Sequence, residues 1–151
     1  MTVVTRLGSE DLAAMEAANR LFAEAFGEEG YHGPPPGEAH LRKLLADDKF
    51  IALTAHLDGK LAGALAAYEL VKFEAERSEI YIYDLAVLER YRRQGVATAL
   101  IEALQPIARD KGAWVIYVQA DPPDAPAVAL YDKLGTREEV YHFDISVSGD
   151  R

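Results

Sequence analysis

Apolar and polar positions alternate over Thr2 to Leu7, which predicts a first strand. Gly8-Ser9-Glu10-Asp11 supplies an N-cap followed by acids, a helix start. Leu12, Met15, Phe22 and Phe26 then mark one helical face, and Gly27 closes that helix. Gly27 to Gly37 contains three consecutive prolines and predicts an extended loop. Leu41, Leu44 and Leu45 predict a second helix over Glu38 to Ala46. Phe50 to Leu57 and Leu61 to Leu70 flank Asp58-Gly59, a hairpin signal. After the charged turn Lys72 to Ser78, Ile80 to Val87 alternates as a strand. Val96, Leu100, Leu104 and Ile107 follow at helical spacing, with Pro106 predicting a kink or an early end. Ala113 to Gln119 is nearly continuously apolar, as in a strand covered on both faces. A rigid loop, Asp121 to Pro126, leads to a short helix, Ala127 to Leu134, ended by Gly135. Arg137 to Val147 predicts a last strand, with Val140, His142, Asp144 and Ser146 opposite Tyr141, Phe143 and Ile145. The order β-α-α-β-β-β-α-β-α-β implies an α+β domain over 1–151, a mixed sheet with helices packed on it.

Composition narrows the function classes. The net charge is −9, so a global basic footprint for nucleic acid is absent, and the field favours cationic small molecules. There is no cysteine, which excludes disulfides, thiolate metal sites and a cysteine nucleophile; no metal is expected. No apolar run approaches the roughly 18 residues of a membrane helix. The N-terminus lacks the basic flank and apolar core of a signal peptide, so the expected compartment is the cytoplasm.

The dense basic cluster Arg90, Arg92 and Arg93 stands out in this acidic chain. It precedes a helix start, where cations oppose the helix dipole. An anion on the free N–H groups of the first turn resolves that conflict. The glycine pattern is neither G-x-G-x-x-G nor a P-loop. It is R-x-x-G-x-A: Arg92-Arg93-Gln94-Gly95-Val96-Ala97. Gly95 permits close backbone approach and Ala97 leaves the first turn uncluttered. N–H groups from Gln94 to Thr98 then form a diphosphate cradle flanked by guanidiniums.

R-x-x-G-x-A after a strand resembles the acetyl-CoA pyrophosphate loop of the GNAT N-acetyltransferases. Asp124 to Gly135 (DAPAVALYDKLG) resembles the family's N-x-x-A-x-x-L-Y-x-K-x-G segment. RSEIYIYDLAV, RRQG-x-ATALI, VIYVQAD, AVALY-x-KLG and REEV-x-HFDI are similar to GNAT-type aminoglycoside 3-N-acetyltransferases, over about Phe50 to Ile145. The resemblance implies a central sheet of six or seven strands with about four helices, and acetyl-CoA as cofactor. It implies that Leu85, Ala86 and Val87 pair through their backbone with pantetheine on a strand that splays from its neighbour, one N–H polarising the thioester carbonyl. Arg92, Arg93, Gln94, Gly95, Val96, Ala97 and Thr98 would hold the diphosphate. Tyr131 matches the tyrosine near the coenzyme sulfur, a proton donor to the leaving thiolate. Asp124 stands where many relatives have asparagine and lacks the amide donor.

Asp84 is the candidate base, a carboxylate embedded in an apolar strand. A free aspartate, pKa about 3.9, is a weak base at neutral pH. Either burial raises its pKa, or it acts through a water and mainly attracts the cationic amine; the second is expected, since a polycation opposes a raised pKa. Glu79 and Tyr83 are secondary candidates. Asp121, Glu28, Glu29 and Asp144 form a set suited to a polycationic amine, with His142 facing the same region. The expected activity is direct acetyl transfer to an aminoglycoside amine, the 3-amino group, with no covalent acetyl-enzyme. The rivals are a polyamine or other small-amine acetyltransferase and a non-catalytic acyl-CoA-binding module. A homodimer is compatible with all three.

Overall fold

The computed structural model describes residues 1–30 and 34–149, and for residues 28–30 the backbone alone. It divides into two compact units, Met1–Gln119 and Ala120–Arg151.

The first unit is built on five strands in spatial order β1-β2-β3-β4-β5: β1 Thr2–Arg6, β2 Phe50–Leu57, β3 Lys60–Val71, β4 Ser78–Val87 and β5 Ala113–Val118. The first four are antiparallel, and β5 lies parallel to β4. Asp58 and Gly59 both have positive φ, 50° and 84°, the backbone of a tight two-residue hairpin turn between β2 and β3.

Residue parity sorts the side chains between two cores. Phe50, Ala52, Ala64 and Ala86 pack with α1 (Leu12–Gly30) and α2 (Glu38–Ala46), through Met15, Phe22, Leu41 and Leu45. Ile51, Leu53, Leu65, Ile80 and Ile82 pack on the other face with Val96, Leu100 and Leu104 of α3 (Val96–Asp110). Helices therefore cover both faces, and the antiparallel strands alternate between two interiors rather than between core and water.

α1 starts where the sequence places it. Asp11 accepts from the Gly8 N–H at 2.7 Å. Its end differs: helical structure resumes beyond Gly27, which is non-helical at φ 70°, and runs to Gly30. Glu28 and Glu29 thus belong to helical backbone rather than to a loop, and Tyr31 to Gly33 of the expected loop lie outside the described residues. α3 continues past Pro106 to Asp110. Pro106 is exposed while Leu104 and Ala108 are buried, so the carbonyl it leaves unpaired faces water while the sheet side stays packed. β5 forms as expected but is an edge strand without a fully buried residue, not one covered on both faces.

The second unit contains α4 (Ala125–Leu134). Asp124 caps it, accepting from the Ala127 N–H at 3.3 Å. The last predicted strand, 137–147, joins no ladder: residues 136–149 contain no helix or strand. The described sheet consequently has five strands rather than six or seven. Period-two alternation tells which side chains share a face, whereas a strand also needs a paired neighbour.

Candidate active site

β4 pairs with β5 only along its first half. The last rung is Ile82 with Val118, and from Tyr83 onward β4 has no β5 partner. On its other side β4 stays paired with β3 through Val87. The strands thus part at mid-sheet and leave the N–H and C=O groups of one β4 edge open beside Leu85, Ala86 and Val87.

A β-bulge sits at the point of parting. Ala67 pairs with Ile82 and Ala66 with Asp84, so Tyr83 is the extra residue. It reverses the parity of the strand: Ile80 and Ile82 face α3, and beyond the bulge Leu85 and Val87 do so. Asp84 is thereby turned to the opposite face, with its partner Ala66 and with Ala86.

There Asp84 meets a row of aromatic rings. Phe50, Tyr68, Tyr81 and Tyr117 occupy successive cross-strand positions on β2, β3, β4 and β5. Tyr81 and Tyr117 stack at 4.7 Å, and Phe50 lies 5.4 Å from Tyr68. The bulged Tyr83 sets its ring edge-on to both Tyr68 (6.0 Å) and Tyr81 (5.9 Å). Tyr83 is 62% exposed, so the shelf opens to solvent. The Tyr81 hydroxyl donates to Gln119 Oε1 at 3.0 Å.

Burial raises the Asp84 carboxyl from its ordinary 3.8 to about 6. A pKa raised by burial is the first of the two alternatives read from the sequence. Burial also raises the phenols of Tyr68 and Tyr81, with nearby tyrosines and Asp84 adding to it, so they remain neutral beside the carboxylate. Glu79 is committed elsewhere, accepting from Trp114 Nε1 at 3.1 Å and lying 3.8 Å from Lys72.

Below β4 the chain makes a 3-10 turn, Glu89–Tyr91, and enters α3 through Gly95 at φ 78°. No side chain caps α3, and a Cβ built on Gly95 would meet nothing within 4 Å. The first-turn N–H groups have no intrahelical acceptors. Arg92 and Arg93 are exposed beside them, Arg92 Nε donating weakly to the Val87 carbonyl at 3.4 Å. Arg90 is spoken for: it donates to Glu24 of α1 at 3.1 Å and lies over the Tyr91 ring. First-turn backbone donors plus two exposed guanidiniums fit a diphosphate, and the β4 edge without a β5 partner fits an amide-bearing arm.

Gly63 holds these parts together. A Cβ there would lie 2.9 Å from the Ala86 carbonyl oxygen and 3.0 Å from Val96 Cγ1. β3 approaches β4 and α3 this closely only because the side chain is absent. Sequence reading missed Gly63, Tyr68, Tyr81 and Tyr117 as site residues. The tyrosine parity of 81 and 83 was the one visible hint, and the rest depends on register across strands.

In the second unit, burial and then Asp124 raise the Tyr131 phenol above its ordinary 10. Asp121 is exposed, and His142 Nε2 lies 2.8 Å from Asp144 Oδ1. Among the described residues no group of three or more His, Asp or Glu side chains is placed to hold a metal ion. None of the helices there is long and apolar enough to cross a membrane.

Residues 15–136 match the acetyltransferase (GNAT) family, and the chain belongs to it. The acyl donor of that family is acetyl-CoA. The fold is shared with an aminoglycoside acetyltransferase, HMB0005, from an uncultured soil metagenomic sample: 55% identity, TM-score 0.93, covering 97% of this chain and 99% of that one. A second soil metagenomic aminoglycoside acetyltransferase, meta-AAC0020, in complex with sisomicin, is 33% identical with a TM-score of 0.89, covering 97% and 96%. Among curated proteins, an N-alpha-acetyltransferase of Saccharolobus solfataricus is 41% identical over 59 residues, 38% of this chain and 35% of the relative. The chain thus spans about a third of the length of that relative and of its counterpart from Sulfurisphaera tokodaii.

Proposed function

We propose that this protein transfers acetyl from acetyl-CoA to an amine of an aminoglycoside, the 3-amino group, with both molecules bound together, and so confers resistance. The observation that carries the reading is Asp84, a half-buried carboxyl with pKa about 6, turned by a bulge onto an open tyrosine shelf. A base poised near the working pH suits an amine that must lose its proton before it attacks. Aromatic faces beside a carboxylate suit a polycationic ring system. The 55% identical structure is that of an aminoglycoside acetyltransferase, and the 33% identical one holds sisomicin.

Bound acetyl-CoA supplies the acetyl group as an activated thioester. This chain's residues do the rest. N–H groups of Gln94 to Thr98, with Arg92 and Arg93, bind the diphosphate. The open edge at Leu85, Ala86 and Val87 orients the pantetheine arm, and one N–H there steadies negative charge on the carbonyl oxygen. Asp84 takes the proton of the acceptor ammonium, and Tyr131 Oη, kept protonated by burial, gives one to the sulfur. Tyr83, Asp121, Glu28, Glu29, Asp144 and His142 bind the acceptor. The enzyme acts in the cytoplasm.

The test is thiol release with acetyl-CoA and a panel of aminoglycosides and polyamines, with mass spectrometry and NMR of the product. One acetyl group on the 3-amino nitrogen is expected. Preference for polyamines, or tight coenzyme binding without turnover on any amine, overturns the reading.

A further inference from the structure

Two bulges bracket the tyrosine shelf, one on β4 and one on β5. The first is Tyr83, beside Asp84. At the second, Ser78 pairs with Ala113 and Glu79 with Val115, so Trp114 is the extra residue. Ala113 and Ile116 both pack on the α3 side, which turns Trp114 and Val115 to the opposite face.

Glu79 lies there, on the same parity of β4 as Tyr81. Its Oε2 accepts from Trp114 Nε1 at 3.1 Å. Its Oε1 lies 3.8 Å from Lys72 Nζ, beyond hydrogen-bond distance, and Lys72 stands closer to Glu74, at 3.3 Å. A carboxylate offers about four lone-pair sites, so this pairing leaves Oε1 with capacity for a further donor. Arg77 is engaged on the indole, its guanidinium carbon 4.2 Å from the ring centre. Burial and then Glu79 raise the Tyr117 phenol, and Lys72 lowers it, as befits side chains on one face.

The stacked pair Tyr81 and Tyr117 lies between the two carboxylates. On the far side of Asp84 the shelf is shut, because Ala86, next on that face, is buried against α1 and α2. An acceptor whose amine sits at Asp84 therefore extends over Tyr81 and Tyr117 toward Glu79. The Cα atoms of Asp84 and Glu79 are roughly 15 Å apart along the bulged strand, at about 3.3 Å per residue. A single sugar ring cannot touch both carboxylates. Linked rings with several ammonium groups can.

We propose, resting on the aminoglycoside reading above, that Glu79 is a distal subsite, accepting a hydrogen bond from an ammonium group on a ring other than the one being acetylated. Trp114 holds the carboxylate through the indole N–H. Lys72 competes for it, and Glu74 retains Lys72 when the acceptor is bound. Glu79 touches no reacting atom, so it acts on acceptor binding and not on the chemical step.

Steady-state kinetics at saturating acetyl-CoA tests this, with gentamicin as the long acceptor. 2-Deoxystreptamine, its central ring alone, serves as a short competing ligand. Glu79→Gln removes the charge and keeps an oxygen for the indole. The gentamicin KM should rise about tenfold, the loss of one charge-assisted hydrogen bond. The values of kcat, the acetyl-CoA KM and the 2-deoxystreptamine inhibition constant should stay within about twofold. Lys72→Met removes the competitor and should lower the gentamicin KM about threefold. A gentamicin KM indifferent to Glu79→Gln overturns the subsite. So does an equal loss for gentamicin and 2-deoxystreptamine, which marks a disturbance of the whole shelf, and so does a gentamicin KM that Lys72→Met leaves unchanged or raises. If the unsubstituted enzyme acetylates no aminoglycoside, the parent reading falls and the subsite with it. Turnover that ignores Glu79→Gln sinks the subsite alone.

Discussion

Ile82 and Asp84 are two residues apart on one strand, and they point to opposite faces of the sheet. In a regular strand they would share a face. The extra residue Tyr83 turns the carboxylate out of the α3-side core and onto the tyrosine shelf. A buried carboxylate among Ile80, Ile82 and Leu100 would have no use and a large desolvation cost.

Asp84→Asn should lower kcat by about a hundredfold or more, the usual loss of a general base, while the affinity for acetyl-CoA stays within twofold. In the unsubstituted enzyme kcat/KM should rise with pH to a plateau, with a midpoint about 6. With a cationic acceptor bound, the midpoint in kcat should fall below that. The folded pKa lies above the ordinary 3.8, so the folded protein keeps a proton that the unfolded chain has lost. Asp84 therefore costs stability progressively as pH rises from about 4 to about 6, and above that window the cost is complete. Asp84→Asn removes it and should stabilise the fold at pH 7.5 by about 1 kcal/mol, after discounting for the solvent that still reaches the carboxyl. Urea denaturation at pH 4 and pH 7.5 checks this, and equal effects at both would remove the titration argument.

The shelf is tested at its exposed end. Tyr83→Ala removes a ring that touches Tyr68 and Tyr81 and is open to solvent. A cation over an aromatic face is worth about 1 kcal/mol at such a site, so the acceptor KM should rise about fivefold. Tyr83→Phe should restore it, because the ring rather than the hydroxyl makes the contact. Steady-state kinetics with acetyl-CoA saturating separates this from an effect on the cofactor. If the phenylalanine is as poor as the alanine, the hydroxyl carries the interaction.

What the sequence disclosed follows the range of the forces involved. The Asp58-Gly59 hairpin and the Gly95 entry into α3 rest on neighbouring residues, and both stand where the pattern puts them. The tyrosine row does not, because Tyr68, Tyr81 and Tyr117 become neighbours only through the registers of β3, β4 and β5. Asp84 was legible as a candidate, but its face was not, since a bulge is set by the partner strand. Gly27 reads as a helix end, yet a left-handed glycine can equally join two helical stretches, as it does in α1. Residues 137–147 show the same limit from the other side. Their alternation is plain, and pairing is a property of another strand.

Gly63 offers a stability test that reaches the site. An alanine methyl would meet the Ala86 carbonyl oxygen at 2.9 Å, and backbone cannot yield as a flexible side chain can. Val96 Cγ1 at 3.0 Å and Leu100 Cδ1 at 3.4 Å close the other sides. Gly63→Ala should cost about 2 kcal/mol, as overpacking of a filled core does. The relief must come from β4 or from the start of α3, so acetyl-CoA affinity should fall along with the melting temperature. A variant of unchanged stability would mean that β3 and β4 separate more readily than this packing implies.

The three arginines of the turn should separate into two classes. Arg90 is held by Glu24 and Tyr91, on the α1 side of the turn. Arg92 and Arg93 are exposed beside the uncapped start of α3, where an anion would sit. Arg92→Ala with Arg93→Ala should raise the KM for acetyl-CoA by roughly a hundredfold, the loss of two charge-assisted contacts. Arg90→Ala should change it by about twofold or less. Acetyl-pantetheine, which lacks the diphosphate, should be used equally well by all three proteins if the arginines act on that group. Equal losses with both donors would place the effect in the loop conformation instead, because Arg93 holds a positive φ of 63° and Arg92 touches the Val87 carbonyl. Arg93→Gly separates those two causes. It relaxes the backbone while removing the charge, so a glycine as poor as alanine assigns the loss to the guanidinium.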